Sequence, residues 1–336
     1  MPELRKDYLL NRYVILATER AKRPSNFVQV HSEGTDKSIC PFCPVNQQLL
    51  PSVIAEQPVK ILQDQNVTDL PKSALWITRV VPNKYPAVSL DGKPAMRTDN
   101  TFFTFASAYG YHEVIIETPD HDKELEDLPI EHIREVLRLY QQRIRAFHDN
   151  HSIRYVSVFK NRGLIAGASI SHSHTQVIAY NALPTSMEGE LEKAYDYHIK
   201  NDECAFCNII GVEEKSFRHV YSDEHIVAFT PYASRFPFEI WIFTRRHISG
   251  MTELSEIELT ALAGALKKLL QRLDTLNYPP FNLQVHSAKM DDQFHFHIEI
   301  APRLATWAGF EISTETIINT MTPEDAAAFY RGETNP

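Results

Sequence analysis

The sequence has fewer basic than acidic residues and contains no long apolar run. Among its 336 residues, 43 acidic side chains outnumber 34 basic ones, and the formal charge is −9. No basic stripe is present to neutralise a nucleic-acid backbone, so nucleic acid is not an expected partner. No stretch of about 18 apolar residues is available to cross a bilayer, and the first residues lack the apolar core of a secretory signal. We therefore expect a cytoplasmic protein that binds no membrane.

Cysteine is scarce as well, and none is left over. The four cysteines form two pairs of identical spacing, Cys40-Pro-Phe-Cys43 and Cys204-Ala-Phe-Cys207. In a reducing compartment this spacing favours metal ligation over a disulfide, because thiolates two residues apart can both reach one tetrahedral zinc ion. One such pair alone would be equally consistent with two buried thiols. Two matching copies favour zinc.

The two cysteine pairs open two copies of one sequence pattern. After each pair come a strand-like apolar run ending in histidine, a helix with apolar residues at three-and-four spacing, a strand, and a histidine-rich strand. The pattern predicts an α+β fold of two tandem units, each an antiparallel sheet with a packed helix, with domains at 1–180 and 181–336. The segments are 112–121, 128–147, 155–159 and 171–179 in the first copy, and 238–247, 254–273, 281–285 and 294–301 in the second.

Histidines complete each cysteine pair. Alternate side chains of a strand share a face, so the two histidines of each histidine-rich strand point the same way. If the first of them joins the cysteines and the strand-end histidine of its own copy, two closed, structural zinc sites result. The predicted sets are Cys40, Cys43, His121 and His172, and Cys204, Cys207, His247 and His295.

His174 is left over from the first set and is the candidate nucleophile. A neutral imidazole can attack an α-phosphate and form a phosphoramidate, which divides one difficult transfer into two displacements. Gln176, the backbone of 167–169 and the N-terminal arginines are candidate donors to the phosphoryl oxygens. Taken alone, a His-x-His strand more often serves a metal or packing, and we interpret His297 that way. Its strand ends in Glu299, whose charge would repel a phosphate, so only the first copy is predicted to be catalytic.

Six motifs resemble those of the galactose-1-phosphate uridylyltransferase family, a transferase branch of the histidine-triad superfamily. The resemblance covers nearly the whole chain and implies two histidine-triad-like units. The motifs are Arg20-Ala-Lys-Arg-Pro24, Cys40-Pro-Phe-Cys43, Thr118-Pro-Asp-His121, Phe159-Lys-Asn-Arg-Gly163, His172-Ser-His-Thr-Gln176 and Pro237-Phe-Glu-Ile-Trp241.

The resemblance implies specific roles. His174 is similar to the histidine that becomes nucleotidylated, Gln176 to the glutamine that holds the transferred phosphoryl group, and the first zinc set matches position for position. It also implies a homodimer. The implied contacts to phosphate and sugar are Arg20, Arg23, Asn161, Gly163 and Ser169, with Asn83 near the nucleoside. For the arginines, a solvated surface is the alternative interpretation.

The substrate stays open because the chain departs from the well-known uridylyltransferases. Ser173 stands where they have proline, Lys84 where they have aspartate, and Ala305 and Ile317 where they place a lysine and a glutamine on the hexose phosphate. The strand 171–174, the second cysteine pair and the segment 309–312 resemble the ADP-glucose phosphorylase branch more closely.

Two pairs of substrates therefore stay open. Transfer from UDP-glucose or UDP-galactose to a hexose 1-phosphate follows the broad family, and transfer from ADP-glucose to inorganic phosphate follows the departures. Many uridylyltransferases bind their second metal through other residues, near which Glu190 and His286 fall here. We prefer the cysteine set, because thiolates are better zinc ligands.

Two further functions are alternatives to nucleotidyl transfer. Hydrolysis, as in histidine-triad hydrolases, goes with a His-x-His-x-His strand, and Gln176 at the last position favours transfer instead. A non-catalytic, zinc-stabilised nucleotide-binding module would tolerate replacement of His174 without loss of any activity. The leading hypothesis is a ping-pong nucleotidyl transfer through His174.

Overall fold

The computed structural model describes residues 1–22, 35–65, 67, 75–289 and 291–334. The strands are β1 (Glu3–Lys6), β2 (Tyr13–Leu16), β3 (Ala55–Pro58), β4 (Trp76–Pro82), β5 (Arg97–Thr98), β6 (Thr104–Phe105), β7 (Gly110–Ile116), β8 (Tyr155–Arg162), β9 (His174–Tyr180), β10 (His219–Ser222), β11 (Ile226–Phe229), β12 (Ile240–Thr244), β13 (Phe281–His286), β14 (His297–Pro302) and β15 (Ile317–Asn319). The α-helices are α1 (Lys60–Gln63), α2 (Ile130–His148), α3 (Thr185–Asn201), α4 (Ala205–Glu213), α5 (Glu256–Asp274), α6 (Gly309–Thr314) and α7 (Pro323–Arg331). No helix in these described ranges combines the length and the apolar character that a membrane span requires.

The chain packs into two compact units, each assembled from separate stretches. The Cys40 unit comprises Gly34–Lys160 and Ile170–Thr185, and the Cys204 unit comprises Met1–Glu33, Asn161–Ser169 and Ser186–Pro336. The division at residues 180 and 181 expected from the repeat stays a prediction.

The Cys40 unit contains an antiparallel sheet in the order β8-β9-β7-β4-β3, with β8 contributing up to Lys160. Helix α2 packs on it because its apolar residues recur every three or four positions and so form one face. Ile133, Val136, Ile144 and Phe147 on that face are buried. The side chain of Arg143 forms two hydrogen bonds with Glu113 of β7, at 2.7 and 2.8 Å, and so ties the helix to the sheet.

The Cys204 unit repeats this arrangement. Its strands run in the order β10-β11-β12-β14-β13, all antiparallel, and α5 buries an apolar face on them. Helix α5 begins where Ser255 caps it: its hydroxyl accepts from the Glu258 amide, and the Glu258 carboxylate accepts from the Ser255 amide. A smaller sheet joins β1 and β2 to β15. The predicted fold class is confirmed: α+β, with a helix packed on an antiparallel sheet in each unit.

The two histidine-rich strands begin later than expected. Strand β9 begins at His174 and β14 at His297, whereas the sequence pattern predicted strands from 171 and from 294. The chain bends at His172, whose ring Nε2 lies 2.7 Å from the carbonyl oxygen of Thr118. This hydrogen bond draws the first histidine out of the strand and toward the loop that follows β7.

A buried polar layer lies between α2 and strand β9. At its centre, the carboxylate of Glu117 accepts hydrogen bonds from Lys160 (2.7 Å), Ser173 (2.6 Å) and Thr175 (2.6 Å), and the hydroxyl of Tyr140 lies 3.0 Å away. Lys160 also donates to Ser173 at 2.8 Å.

Both ions of this layer stay charged. Burial alone would lower the pKa of Lys160, but the charges of Glu117 and Glu124 and the hydrogen bond to Glu117 together outweigh burial, and the pKa is raised. Burial would likewise raise the pKa of Glu117, but Lys160 and the hydroxyl donors hold it below its usual value. A buried ion pair whose lone pairs are filled in this way anchors the residues on both sides of His174.

Replacing Lys160 with methionine should destabilise the Cys40 unit, because the Glu117 carboxylate would remain buried without its counter-charge. We expect the free energy of unfolding to fall by about 3–5 kcal/mol, measured by urea denaturation. Lys193→Met is the control, since Lys193 pairs with Glu192 and Asp196 at the surface, and it should leave the urea midpoint unchanged. Equal midpoints for Lys160→Met and the native protein would show that the layer does not stabilise the unit.

Candidate functional site

The first predicted metal set comes together in the Cys40 unit. Cys43 precedes a 3₁₀ helix at Pro44–Leu49, and its Sγ lies 3.2 Å from His121 Nδ1 and 3.7 Å from His172 Nδ1. Cys40 Sγ lies 3.6 Å from His172 Nδ1, and all four ligand atoms lie within 4.8 Å of one another. A sulfur and a nitrogen bound to one tetrahedral zinc ion would lie roughly 3.6 Å apart. The spacing therefore fits one metal ion.

The chemistry of this donor set also fits a divalent cation. The His172 ring donates from Nε2 to the Thr118 carbonyl, so the lone pair of Nδ1 faces the two sulfurs. Burial and the neighbouring Cys40 raise the pKa of Cys43 to about 12, because two adjacent thiolates repel one another. A bound dication would remove that repulsion and stabilise both thiolates.

The second predicted set forms the same arrangement in the Cys204 unit. Cys204 is the residue before α4 and Cys207 lies in its first turn. The Sγ of Cys207 is 3.3 Å from His247 Nδ1 and 3.6 Å from His295 Nδ1, and all four ligand atoms lie within 4.8 Å of one another. The Nε2 atom of His295 is 2.8 Å from the Thr244 carbonyl oxygen, which matches the contact of His172 Nε2 with the Thr118 carbonyl at 2.7 Å. Both clusters are able to hold a metal ion.

A third group of ligand atoms lies beside the second set. Glu190, His286 and His297 place theirs within 4.8 Å of one another. His286 Nδ1 is 3.2 Å from Glu190, and its Nε2 is 3.6 Å from Glu299, which also pairs with Arg235. Burial would lower the pKa of His286, but Glu190 and Glu299 raise it to about 10. The negative charges of Glu190 and Glu299 are therefore balanced by the positive charges of His286 and Arg235.

His297, the counterpart of His174, lies in the core. Its ring stacks on Phe243 with centroids 4.8 Å apart and on His286 with centroids 4.5 Å apart. Burial lowers its pKa to about 4, and the positive charge of His286 adds to that effect. In the Cys204 unit, the position equivalent to the candidate nucleophile is therefore occupied by a histidine packed in the core.

His174 is held in one tautomer. It is the first residue of β9, its ring packs against Phe42 with centroids 5.2 Å apart, and its Nδ1 lies 2.8 Å from the carbonyl oxygen of His172. A carbonyl only accepts, so Nδ1 carries the proton and Nε2 keeps its lone pair. Burial lowers the pKa of His174, which favours the neutral ring. A neutral imidazole with a free Nε2 is chemically suited to attack phosphorus.

Gln176 lies on the same face of the sheet as His174. In the pairing of β7 with β9, Ile116 faces His174 and Val114 faces Gln176, and side chains two residues apart share a face. The Gln176 Oε1 atom lies 2.9 Å from the Nε2 of His112 on β7. His112 was not among the predicted site residues. The sequence shows only that His112 alternates with Val114 and Ile116 along one strand. This alternation points to the site only when the register of β7 against β9 is known.

Asn83, predicted near the nucleoside, joins this group. Its Nδ2 atom lies 3.1 Å from the His112 Nε2, and its Oδ1 accepts from the Tyr85 amide at 2.8 Å. Asn83, His112 and Gln176 therefore form one contiguous polar cluster in the Cys40 unit.

Three other predicted contacts lie in the Asn161–Ser169 segment of the Cys204 unit. The side-chain oxygen of Asn161 accepts a hydrogen bond from Asn282 Nδ2 at 2.8 Å. The side-chain NH2 group of Asn161 therefore points away from Asn282. Gly163 has φ +80°, and a Cβ there would meet Pro280 at 2.9 Å, so both the conformation and the space demand glycine. Ser169 is exposed.

The N-terminal arginines are only partly described. Arg20 lies in a 3₁₀ helix at Thr18–Lys22 and is exposed, and Arg23 lies outside the described residues. Their role in substrate binding stays a prediction.

Known proteins match this chain along nearly its full length. Residues 1–184 match the family model for the galactose-1-phosphate uridyl transferase N-terminal domain, and residues 190–329 match that for the C-terminal domain. The ADP-glucose phosphorylase of Arabidopsis thaliana is 36% identical over 98% of this chain and 92% of that protein. The galactose-1-phosphate uridylyltransferase of Thermotoga maritima is 28% identical over 97% of each.

Solved structures agree with the sequence matches. A crystal structure of the Arabidopsis thaliana ADP-glucose phosphorylase with bound ADP-glucose has a TM-score of 0.82, 32% identity and full coverage of both chains. A uridylyltransferase structure has a TM-score of 0.73 and 26% identity, covering 99% of this chain and 98% of that one. These relatives are nucleotidyltransferases, and the resemblance found in the motifs is confirmed. With both family models matched and a relative above 30% identity along the chain, this protein belongs to the galactose-1-phosphate uridylyltransferase family.

Proposed function

We propose that this enzyme transfers a nucleoside monophosphate from a nucleotide sugar to a phosphate acceptor through a covalent adduct on His174. The observation that supports this most directly is the fixed tautomer of His174, whose Nδ1 is bonded to the His172 carbonyl. In the first step Nε2 forms a bond to the α-phosphorus, the bridging P–O bond breaks, and sugar 1-phosphate leaves. In the second step an acceptor phosphate oxygen attacks the same phosphorus and the N–P bond breaks.

The other predicted site residues have distinct roles in this mechanism. Gln176 donates from its amide to the oxygens of the transferred phosphoryl group, where negative charge develops. Asn83 contacts the nucleoside, and Asn161, Gly163, Ser169, Arg20 and Arg23 are the proposed contacts to phosphate and sugar.

For the substrates, we favour ADP-glucose as donor and inorganic phosphate as acceptor. The similarity to an ADP-glucose phosphorylase over 98% of the chain supports this choice. The position at which uridylyltransferases are expected to place a glutamine on the hexose phosphate also supports it. That position is Ile317, which is buried in β15 beside Val14 and has no polar group to offer a hexose.

The second candidate is transfer of UMP from UDP-glucose or UDP-galactose to a hexose 1-phosphate. The family models that match both halves, and the similarity to the Thermotoga maritima enzyme, favour it. Both candidates share the His174 adduct and differ in the base and the acceptor.

We further propose that both Cys2His2 clusters hold structural zinc ions. The first would fix His172, two residues before the nucleophile, and the second the corresponding part of the Cys204 unit. We also propose that the chain has two histidine-triad-like domains, at 1–180 and 181–336. It forms a homodimer and is located in the cytoplasm. The four free thiols, all grouped in metal-binding sets, are consistent with a reducing compartment.

The adduct can be tested by incubating the protein with ADP-glucose or UDP-glucose labelled in the α-phosphate, without acceptor. We expect an acid-labile, base-stable protein label from ADP-glucose, which His174→Ala abolishes and the exposed-histidine control His151→Ala retains. Label from UDP-glucose alone would identify the second candidate. No label from either donor would refute the mechanism, and nucleotide binding without any label would favour a non-catalytic binding module.

Replacing Gln176 with glutamate should slow adduct formation while preserving the shape of the side chain. Two unit charges about 4 Å apart repel by about 4 kcal/mol at an effective dielectric constant near 20, which corresponds to about a 100- to 1000-fold decrease in rate. Rapid-quench measurement of adduct formation gives this rate. The exposed Gln47→Glu should match the native rate. A native rate for Gln176→Glu would contradict the proposed role of the amide.

Metal analysis should find two zinc ions per chain. We expect His247→Ala to reduce the content to one, because it removes a ligand of the second set, and His286→Asn to leave it at two. A loss of zinc in His286→Asn and not in His247→Ala would instead place the second metal at the Glu190, His286 and His297 group.

A further inference from the structure

We propose that His112 is a positioning residue that orients the Gln176 side-chain amide so that its NH2 group faces the transferred phosphoryl group. The inference rests on the proposed function, because it concerns how one of its groups is held. It is carried by three hydrogen bonds within the Cys40 unit: from Ala87 to His112, from His112 to Gln176 and from Tyr85 to Asn83.

The tautomer of His112 is set by the main chain. The backbone N–H of Ala87 points at His112 Nδ1 across 3.1 Å. A backbone amide can only donate, so Nδ1 must be the unprotonated acceptor. A neutral imidazole then carries its single proton on Nε2. Burial lowers the pKa of His112, which favours this neutral form.

The proton on His112 Nε2 has one acceptor within reach among the described residues. Gln176 Oε1 lies 2.9 Å away and Asn83 Nδ2 lies 3.1 Å away. The Asn83 amide cannot rotate to offer its oxygen, because Asn83 Oδ1 already accepts from the Tyr85 backbone N–H at 2.8 Å. With Nε2 protonated, the contact to the Asn83 NH2 group brings two donors together and is not a hydrogen bond, so the hydrogen bond from His112 goes to Gln176.

The orientation of the Gln176 amide follows from this bond. With Oε1 held by His112, the NH2 group occupies the other side of the amide plane, available to donate to phosphoryl oxygens. Rotation by 180° would leave the Nε2–H of His112 without an acceptor among the described residues and would present Oε1 to a negatively charged phosphate. Without His112 both orientations are open, and the wrong one repels the substrate.

The proposed role predicts a rate effect more than a binding effect. A preorganised donor matters most where charge grows, which is the transition state of nucleotidylation. His112→Leu should therefore lower the rate of His174 adduct formation by about 10- to 100-fold while changing the dissociation constant of the donor only a few-fold.

The test measures single-turnover adduct formation from labelled ADP-glucose in His112→Leu and His112→Gln. The Nε2 of glutamine stands at the same number of bonds from the backbone as that of histidine and still donates, so His112→Gln should recover most of the lost rate. The exposed control His151→Leu should match the native protein. If His112→Gln is no faster than His112→Leu, or if neither differs from native, the positioning role is wrong.

A double-mutant cycle separates positioning from a general structural role. In a Gln176→Ala background, His112→Leu should cause no further decrease, because there is no amide left to orient. An equal decrease in both backgrounds would show that His112 acts on the fold, and zinc content and urea midpoints of each variant check that the chain is folded. The proposed function fails separately: it is refuted when the native protein forms no adduct, whatever His112 variants do.

Discussion

The geometry around His174 depends on an ion pair that no solvent reaches. Glu117 follows β7, Lys160 lies near the end of β8, and the two meet beneath β9 at 2.7 Å. Ser173 and Thr175, the neighbours of His174, donate to the same carboxylate. Because strand residues alternate, these two side chains point to the helix side while His174 and Gln176 point to the other. The buried ion pair thus holds the strand on its helix side, opposite the side that carries His174 and Gln176.

The two units share one arrangement of strands and ligand residues but differ at the second position after the second histidine. Each has a Cys2His2 cluster in which one histidine ring is oriented by the carbonyl of a threonine, Thr118 or Thr244. Each continues into a strand whose first residue is a histidine bonded through Nδ1 to the preceding histidine carbonyl. They diverge at the next group on that face. Gln176 is neutral, whereas Glu299 belongs to a charge network that closes over His297.

Much of this was predictable from the sequence, because it follows from local periodicity and spacing. The helices α2 and α5, the antiparallel strands and both cysteine–histidine sets follow from short-range patterns that repeat. Two features were not predictable. Glu117 and Lys160 resemble ordinary surface charges in a sequence, since only the tertiary fold shows that they are buried together. His112 has significance only through the register of β7 against β9, which no local pattern supplies.

The hydroxyl of Ser173 has an evolutionary consequence. The well-known uridylyltransferases are expected to carry proline at this position, and proline offers neither the donor that Glu117 receives nor the acceptor that Lys160 uses. A change from serine to proline would remove one hydrogen bond from each buried ion, while Glu117 keeps Lys160, Thr175 and Tyr140 as partners and Lys160 keeps Glu117 and Glu124. The cost of proline at position 173 therefore depends on which residues stand at 117 and 160, because all three side chains share one hydrogen-bond network.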